Sequence, residues 1–587
     1  MKGVIELVCV IFFCVSSSIA QNYSNQIDTV LMDQYKLAKV QPNSIISDDD
    51  FVKRAYLTII GRIPTYFEYE SFNKIQVKDK RKRLIDFLIN HPGFVSSQYN
   101  YWANSLRLRE RLSPINNFNG IPYIEYIKNS IAQNKPYNIF VRDLLLSSGS
   151  YYDNPATGYY YRDYGMPLDN LIATFKVFAG TDISCAQCHD DPFQDISQMQ
   201  FYEMAAFFPQ IVLNKTSTEY NAKLKMLRTD VEALIKEDPE KNRGLNNRLN
   251  NFLRATQASV ILDNSRTLKL PHDYQYSDGK PNSTVSAKTL DGKVLPKSED
   301  LRVDAVNWLT SSKHPTFTKN FVNRMWCQIF GQYIIREYDN IQDSSKLNSP
   351  LLNLLSSIFI KINYDTKEFI RILCKTQLFE RALYEGQNAN SSRFVFIGPV
   401  QRRLTAEQLW DSTLALVVEL PEKYRTNFDS EYVKTMKIDI EDINVENVKN
   451  RVDQYNTVIR NKYTDAPKYK NLTLVRASEI NDTSAMNTIL EQLGRSDREL
   501  IDTSSTEGSV TQVISFMNGQ IVDIASSETG YLFERIRNKT PNEQVEILFK
   551  AILCRPSTVR EKSMLANVSE KDAIWTLINT TEFKFYK

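Results

Sequence analysis

Residues 185–189 read Cys-Ala-Gln-Cys-His, and no other stretch of this 587-residue chain restricts its surroundings as strongly. Two thiols three positions apart, followed directly by an imidazole, match the attachment sequence of c-type haem. In that chemistry each thiol adds to a vinyl group of the macrocycle and the histidine becomes the proximal ligand of the iron. The expected cofactor is therefore one covalent haem c, held by Cys185 and Cys188 with His189 as its proximal iron ligand. Two other chemistries stay open. A dithiol or disulfide redox pair of the thioredoxin kind wants a strand leading in and a helix leading out, whereas the flanking pattern is helical on both sides. Structural zinc normally needs four ligands, and no second Cys-x-x-Cys and no His pair exists in the sequence.

The sixth iron position decides what such a centre does. A methionine raises the potential and suits electron transfer, while an open position suits ligand binding or catalysis. Met199 and Met204 follow the motif closely and are the tentative distal ligands, with Met166 upstream and His272 downstream as further candidates. Each methionine also reads as core filling.

Covalent haem of this type requires export, and the first twenty residues supply a signal for it. Met1-Lys2 is followed by the apolar run Leu7 to Val15 and by Ser16-Ser17-Ser18-Ile19-Ala20, whose small residues at 18 and 20 suit signal peptidase. We expect a signal peptide at 1–20, cleavage before Gln21, and a mature protein that is periplasmic or associated with a bacterial cell envelope. No Cys follows the cleavage point to carry a lipid anchor, and no later segment approaches the roughly 20 apolar residues of a transmembrane span. Of the seven cysteines, Cys9 and Cys14 leave with the signal, and Cys327, Cys374 and Cys554 stand far apart. These three read as small buried apolar groups, with a Cys327–Cys374 bridge as the alternative.

The net charge of +3, with no concentrated basic stretch, gives no support to nucleic-acid binding or to an electrostatic membrane surface. Only 18 glycines in the chain favour helices over many-turned sheets. The predicted fold class is mainly α, in three parts after the signal: a helical domain at 21–212 with the CxxCH motif, a helical linker and short-strand segment at 213–297, and a helical domain at 298–587.

Local patterns fill in these parts. Asp48-Asp49-Asp50 place acids in the first turn of a helix that Gly61 and Pro64 stop. Thr65 and Glu68 form a capping box, as do Thr405 and Gln408, the latter with a staple from Leu404 to Leu409. Lys80 to Ile89 and Leu168 to Ala179 are amphipathic helices, the second leading through Gly180 into the motif, and Met199 to Phe208 is helical after it. Six tyrosines at 151, 152, 159, 160, 161 and 164 lie around Pro155 and Gly158 and mark a loop pinned by aromatic burial. Thr216 to Thr256 has helical spacing, and Ser259 to Lys297 alternates as short strands or a small β subdomain.

The segment DNLIATFKVFAGTDISCAQCHDDPFQDISQMQFYEMAAFF resembles the haem-motif region of the planctomycete cytochrome c type 2 family, domain of unknown function 1549. Upstream, FVKRAYLTIIGRIPT, RLIDFLI, YWANSLRLR and NKPYNIFVRDLLLSSG are similar to that family's helices. Downstream, AVNWLTSSKHPTFTKNFVNRMWCQIFG, RRLTAEQLWDS and WTLINTTEFKF resemble its usual companion, domain of unknown function 1553. The resemblance implies an exported bacterial protein with covalent haem and no established reaction. It also implies, by association only, a sulfatase-like exported neighbour and a link to polysaccharide use. One departure stands out: the family commonly reads CAQCHDHPFD, and this chain has Asp191 and Gln194 in place of the second His and the second Asp. A residue two positions after the proximal histidine is poorly placed to reach the opposite haem face, so the change bears on tuning rather than attachment.

The reading is a c-type cytochrome-like protein that transfers electrons to an unidentified redox partner. The alternative is an envelope protein that binds or processes saccharides, with the CxxCH pentapeptide structural. For that alternative Arg402, Arg403, Glu407 and Asp411 are the cleft candidates, since paired carboxylates serve glycosidic cleavage; their spacing singles out no catalytic pair. The first reading expects an apolar, porphyrin-sized pocket beside His189, and the second a cleft with convergent carboxylates and aromatic faces.

Overall fold

The first helix packs against the second half of the chain. In the computed structural model α1 (Lys2–Ala38) runs through the expected cleavage point, and from Ala20 onward it buries Ile27, Leu31 and Tyr35 against α14 (Pro350–Lys361) and α15 (Thr366–Cys374). Polar contacts fix its position: Ser24 donates to the Ile372 carbonyl at 2.8 Å, and the Asp28 carboxylate accepts from the Gln377 N–H. The structure describes residues 2–586 apart from 114–117, 164–165, 215–217, 241, 248–257, 297, 343–344, 346, 387–393, 425–434, 436–439, 462–464, 481–484 and 502–507.

Side-chain caps set the helix starts that the sequence marks. Ser47 accepts from the Asp50 N–H to open α2 (Asp48–Ile59), with three aspartates at the positive end of the helix dipole. The Thr65–Glu68 capping box opens α3 (Tyr66–Asn73). α4 (Lys80–Ile89) buries Leu84, Ile85, Leu88 and Ile89 and packs across α2. Helix α5 (Gly93–Ser105) adds Phe94, Tyr99 and Trp102 to the same core. A small ribbon of β1 (Arg111–Ser113) and β2 (Phe118–Asn119) precedes α6 (Ile121–Ala132) and α7 (Tyr137–Leu145).

The tyrosine-rich segment is held by burial. Tyr151, Tyr152, Tyr159, Tyr160 and Tyr161 are all buried, and the last three lie on the short helix α8 (Gly158–Tyr161) rather than in a loop; Tyr164 lies outside the described residues. Tyr161 Oη donates to the Ser259 carbonyl at 2.9 Å and accepts from the Ser259 N–H at 2.7 Å, which ties this segment to a three-stranded antiparallel sheet. That sheet has the order β3 (Gly149–Ser150), β5 (Ser259–Leu262), β4 (Ile211–Leu213).

The expected excursion is present as α11 (Thr218–Glu237), with 248–257 outside the described residues. Of the short strands or small β subdomain expected at Ser259 to Lys297, the described residues form one short strand, β5. β5 pairs with strands of the first region, and beyond it the alternation at 267–270 and 283–285 yields a single bridge, Lys269 to Thr284, with Pro271, Gly279 and Pro281 ending the ladder on the side of the connection between them.

The remaining chain is helical. α12 (Leu301–Leu309) leads to α13 (Phe317–Phe330), which is buried along most of its length. α16 (Ala406–Val417) starts at the expected Thr405–Gln408 capping box. Together with α14, α15 and further helices through Thr581–Lys584 these elements share one continuous hydrophobic core with the first region. The fold is mainly α. Among the described residues no helix is long and apolar enough to cross a membrane.

Candidate functional site

The expected helix into the motif is realised in two pieces. α9 (Pro167–Thr174) passes into one wide turn of π-helix, Phe175–Ala179, which Gly180 closes with a left-handed backbone (φ +63°). Gly180 is required twice over: a Cβ there would lie 2.7 Å from Asn320 Oδ1 and 3.1 Å from the Tyr338 carbonyl. Such π turns recur at functional sites. After it the chain is docked on the segment 337–341 through hydrogen bonds from Asp182 N–H to the Asp339 carbonyl (2.7 Å) and from Ile341 N–H to the Gly180 carbonyl (3.0 Å). Lys176 bridges the same two strands of chain, 3.0 Å from Asp182 and 3.2 Å from Asp339. Burial works against its charge, but the hydrogen bonds and charges of the two aspartates outweigh it and hold the ammonium above its usual value.

Cys185, Ala186 and Gln187 form a single 3-10 turn. The Cys185 carbonyl accepts from both the Cys188 N–H (3.2 Å) and the His189 N–H (3.3 Å), so both thiols and the imidazole issue from one turn. Ala186 is buried beneath it, Cys185 is half-buried, and Cys188 and His189 are exposed. Neither thiol is in a disulfide, and no disulfide joins Cys327 to Cys374. His189 Nδ1 lies 2.7 Å from the Asp190 carbonyl. A carbonyl only accepts, so the neutral ring that makes this contact carries its hydrogen on Nδ1 and its lone pair on Nε2. That tautomer is the one an imidazole needs in order to bind a metal through Nε2, with the Nδ1–H contact orienting the ring.

Helix α10 (Gln198–Ala205) supports the turn from behind. Its capping box joins Ser197 and Gln200, its first N–H is taken by Asp190 Oδ1 at 2.8 Å, and the Gln198 side chain donates to the Gln187 carbonyl at 3.1 Å. Tyr202, on the same face, has its phenol raised above the usual value by burial, with Cys188 and Asp273 adding to the effect. Tyr276 Oη accepts from the Asp190 N–H at 2.9 Å; it lies 86 positions further on, and no local pattern marks it.

The departures from the family pattern have local roles. Asp191 Oδ1 accepts from the N–H groups of Phe193 (2.8 Å) and Gln194 (3.2 Å), an Asx turn. Gln194 Nε2 donates back to the Asp182 carbonyl at 2.7 Å. Both therefore staple the loop after the motif, and between them Phe193 stands 83 % exposed.

The candidate distal ligands diverge. Met204 is 1 % exposed and belongs to the core. Met199 is half-buried, with its methyl beside Gly279, Leu270 and Tyr274. Met166 is exposed at the start of α9, and the His272 side chain is 87 % exposed. Among the described residues no three His, Cys, Asp or Glu side chains converge as a metal-binding group. The donor set that is present, two free thiols and an oriented imidazole on one turn, fits covalent haem. The cavities of about 280 and 380 Å³ are lined by other residues.

The second set of candidates splits. Asp411 is buried against Arg476, 2.8 Å away, and accepts from the Ala477 N–H, which is a structural arrangement. Arg402, Arg403 and Glu407 line the cavity of about 280 Å³.

Residues 26–212 match PSCyt2, a protein of unknown function (DUF1549), and residues 301–569 match PSD1, a protein of unknown function (DUF1553). No curated protein and no solved structure matches the chain. Both matches fall in the order that the motifs imply, and over those residues the chain belongs to the DUF1549 and DUF1553 families in turn.

Proposed function

We propose that this is an exported, c-type cytochrome-like protein of a bacterial cell envelope, which carries one covalent haem and passes electrons to a redox partner protein, in a setting linked to polysaccharide use. The observation that carries the reading is the arrangement at 185–189: two thiols and His189 issue from one turn, and the ring's Nδ1 lies 2.7 Å from the Asp190 carbonyl, which leaves Nε2 as the nitrogen turned to other partners. Bound haem would supply one-electron chemistry at its iron. Cys185 and Cys188 would hold it by thioether bonds and His189 Nε2 would be the proximal ligand. Asp190 orients the imidazole, and α10 fixes the turn through Gln198. Met199 is the better distal candidate of the two methionines, because Met204 is sealed in the core.

The test is a reduced pyridine haemochrome spectrum with a haem-stained denaturing gel, on the full chain exported from a host that expresses the c-type maturation system. A c-type band on the chain is expected, and it should vanish when Cys185 and Cys188 are both replaced by Ser. A colourless protein, under conditions that mature a control cytochrome, sinks the proposal.

A further inference from the structure

Away from the motif, the cavity of about 280 Å³ lies where α2 and α5 meet α13 and α16. Four charged side chains stand in its wall, Arg324, Arg402, Arg403 and Glu407, so guanidinium groups outnumber the carboxylate. Glu407 does little to redress this: it is 3 % exposed, and Arg495 Nε lies 3.9 Å from its Oε1. Arg402 and Arg403 are half-buried, which leaves part of each side chain accessible. Arg402 meets carbonyls instead of a carboxylate. Its Nη2 donates to the Gln328 carbonyl at 2.7 Å, and its contacts with the Cys327 and Ile329 carbonyls are 3.4 Å long. Among the described residues its Nε–H makes no hydrogen bond and its charge no ion pair.

Neighbouring groups add to the positive charge. Burial holds the Arg54 pKa down to about 9, with Arg402 and Arg81 adding to the fall and Asp50 opposing it. Burial also lowers Lys584, and Arg403 lowers it further. A recess that carries one sign of charge between walls of low dielectric concentrates ions of the opposite sign. An ammonium or a metal cation would face three guanidiniums there, and a neutral molecule would leave their charge unanswered. The geometry narrows the anion. The Arg402 guanidinium lies 4.1 Å over the Tyr586 ring, which fixes its plane, and a planar carboxylate is the natural counterpart of a planar fork of donors. Tyr101 and Tyr333 also line the cavity and are half-buried; Tyr333 is stacked on Tyr338 with ring centroids 4.9 Å apart. These rings offer a firm surface for an apolar body. The volume is close to the ~300 Å³ lower limit of small-ligand sites, enough for one ring with its acid group.

We propose that this cavity binds a small organic carboxylate, with its acid group on Arg402 and Arg403 and its body against Tyr101 and Tyr333. The site is independent of haem attachment, and its test needs no haem.

The experiment is saturation-transfer NMR on the full chain with benzoate and cyclohexanecarboxylate, each beside its neutral counterpart, benzyl alcohol or cyclohexylmethanol. Transfer to the ring protons of at least one carboxylate is expected, stronger than to the matched alcohol at equal concentration. Inorganic sulfate, which has the charge but no ring, should displace the carboxylate only in excess. Arg402→Gln keeps an N–H donor for the carbonyls at the end of α13 and removes the charge, and it should weaken carboxylate binding about tenfold. A role confined to those carbonyls would lower the melting temperature of the variant and leave its preference for carboxylate over alcohol as it was. Arg403→Gln carries the same expectation for binding and serves if Arg402→Gln does not fold. No transfer to either carboxylate, transfer to the alcohols as strong as to the carboxylates, displacement by an equal concentration of sulfate, or a preference undiminished in the variants overturns the proposal.

Discussion

The Asn320 side-chain amide donates to the carbonyl of Val177 at 2.8 Å, so a helix of the DUF1553 half carries the last turn before the CxxCH motif. A π turn spaces its own hydrogen bonds one residue wider than an α turn and leaves carbonyls for outside donors. Two residues of α13 supply them: Asn320 to Val177, and Arg324 Nη2 to the Lys176 carbonyl at 3.2 Å. Asn320 Oδ1 in turn accepts from Arg324 Nε at 3.3 Å. The two family domains are therefore one mechanical unit at this point, and Arg324 reaches from the motif's lead-in turn to the cavity wall.

Asn320→Ala removes the donor and leaves the Val177 carbonyl buried without it. The cost of an unmet buried carbonyl is about 1–3 kcal/mol. Urea unfolding of the full chain should show a loss of that size. A change below about 0.5 kcal/mol, the usual range of surface substitutions, would show that the contact does not carry the turn.

Gly180→Ala tests the same junction from the other side. The left-handed backbone at φ +63° disfavours any Cβ, and the new methyl would sit 2.7 Å from Asn320 Oδ1. Strain and clash together should cost roughly 2–3 kcal/mol. If haem attaches as proposed, the yield of covalent haem should fall with it, because the turn that presents Cys185 hangs on this junction. Unchanged stability and unchanged haem yield would count against the junction as a support.

Much of the fold could be read from single residues, and the reason is local. Thr65 with Glu68, Thr405 with Gln408, and Asp48 to Asp50 act within one turn of where they stand, so their spacing is enough. The turn at Cys185–Gln187 is of the same kind. What supports that turn is not local. Tyr276, Asn320 and the segment 337–341 come from distant parts of the chain, and their residue types are unremarkable where they occur. The cavity was half visible: Arg402, Arg403 and Glu407 stand out as charged residues in a buried helix start, but Thr58, Asn100 and Gln328 look like ordinary helix residues until packing strips them of partners. Asp411 misleads for the complementary reason, since its partner Arg476 lies 65 positions on.

Arg476 is the centre of a buried ionic cluster. It donates from Nε to Asp411 at 2.8 Å, from Nη2 to the Ile60 carbonyl at 2.6 Å, and from Nη1 to Glu422. Glu422 also accepts from Arg62, which forks onto Glu68. Burial pushes the Asp411 carboxyl up to about 6 even though Arg476 and the Ala477 N–H pull it down. Arg476→Met would leave Asp411 and Glu422 buried with less compensation, and breaking a buried pair in this way costs about 3–5 kcal/mol. Adding Asp411→Asn should recover part of the loss, because it removes the stranded charge. Urea midpoints of the single and double variants decide it: a double variant no more stable than the single would show that Asp411 is not the group left uncompensated.

His314 gives the fold a pH dependence of predictable sign. Its Nδ1 accepts from the N–H groups of Thr316 (3.3 Å) and Phe317 (3.2 Å), where α13 begins, and its ring stands edge-on to Trp308 at 4.5 Å. Burial is the main reason its pKa falls from 6.5 to about 4, with Asp291 opposing the fall and Lys293 adding to it. Protonation would set a new N–H against two backbone donors at the positive end of a helix. The folded value lies below the unfolded one, so the unfolded chain takes up the proton first. The contribution is therefore complete above pH 6.5 and is lost as the pH falls from 6.5 towards 4. At about 1.4 kcal/mol per pH unit, the loss across that window reaches roughly 3 kcal/mol. His314→Asn keeps a side-chain acceptor but has nothing to titrate there. Thermal unfolding of both proteins across the window should show the parent losing its advantage over the variant as the pH drops; a constant difference would remove His314 as the source.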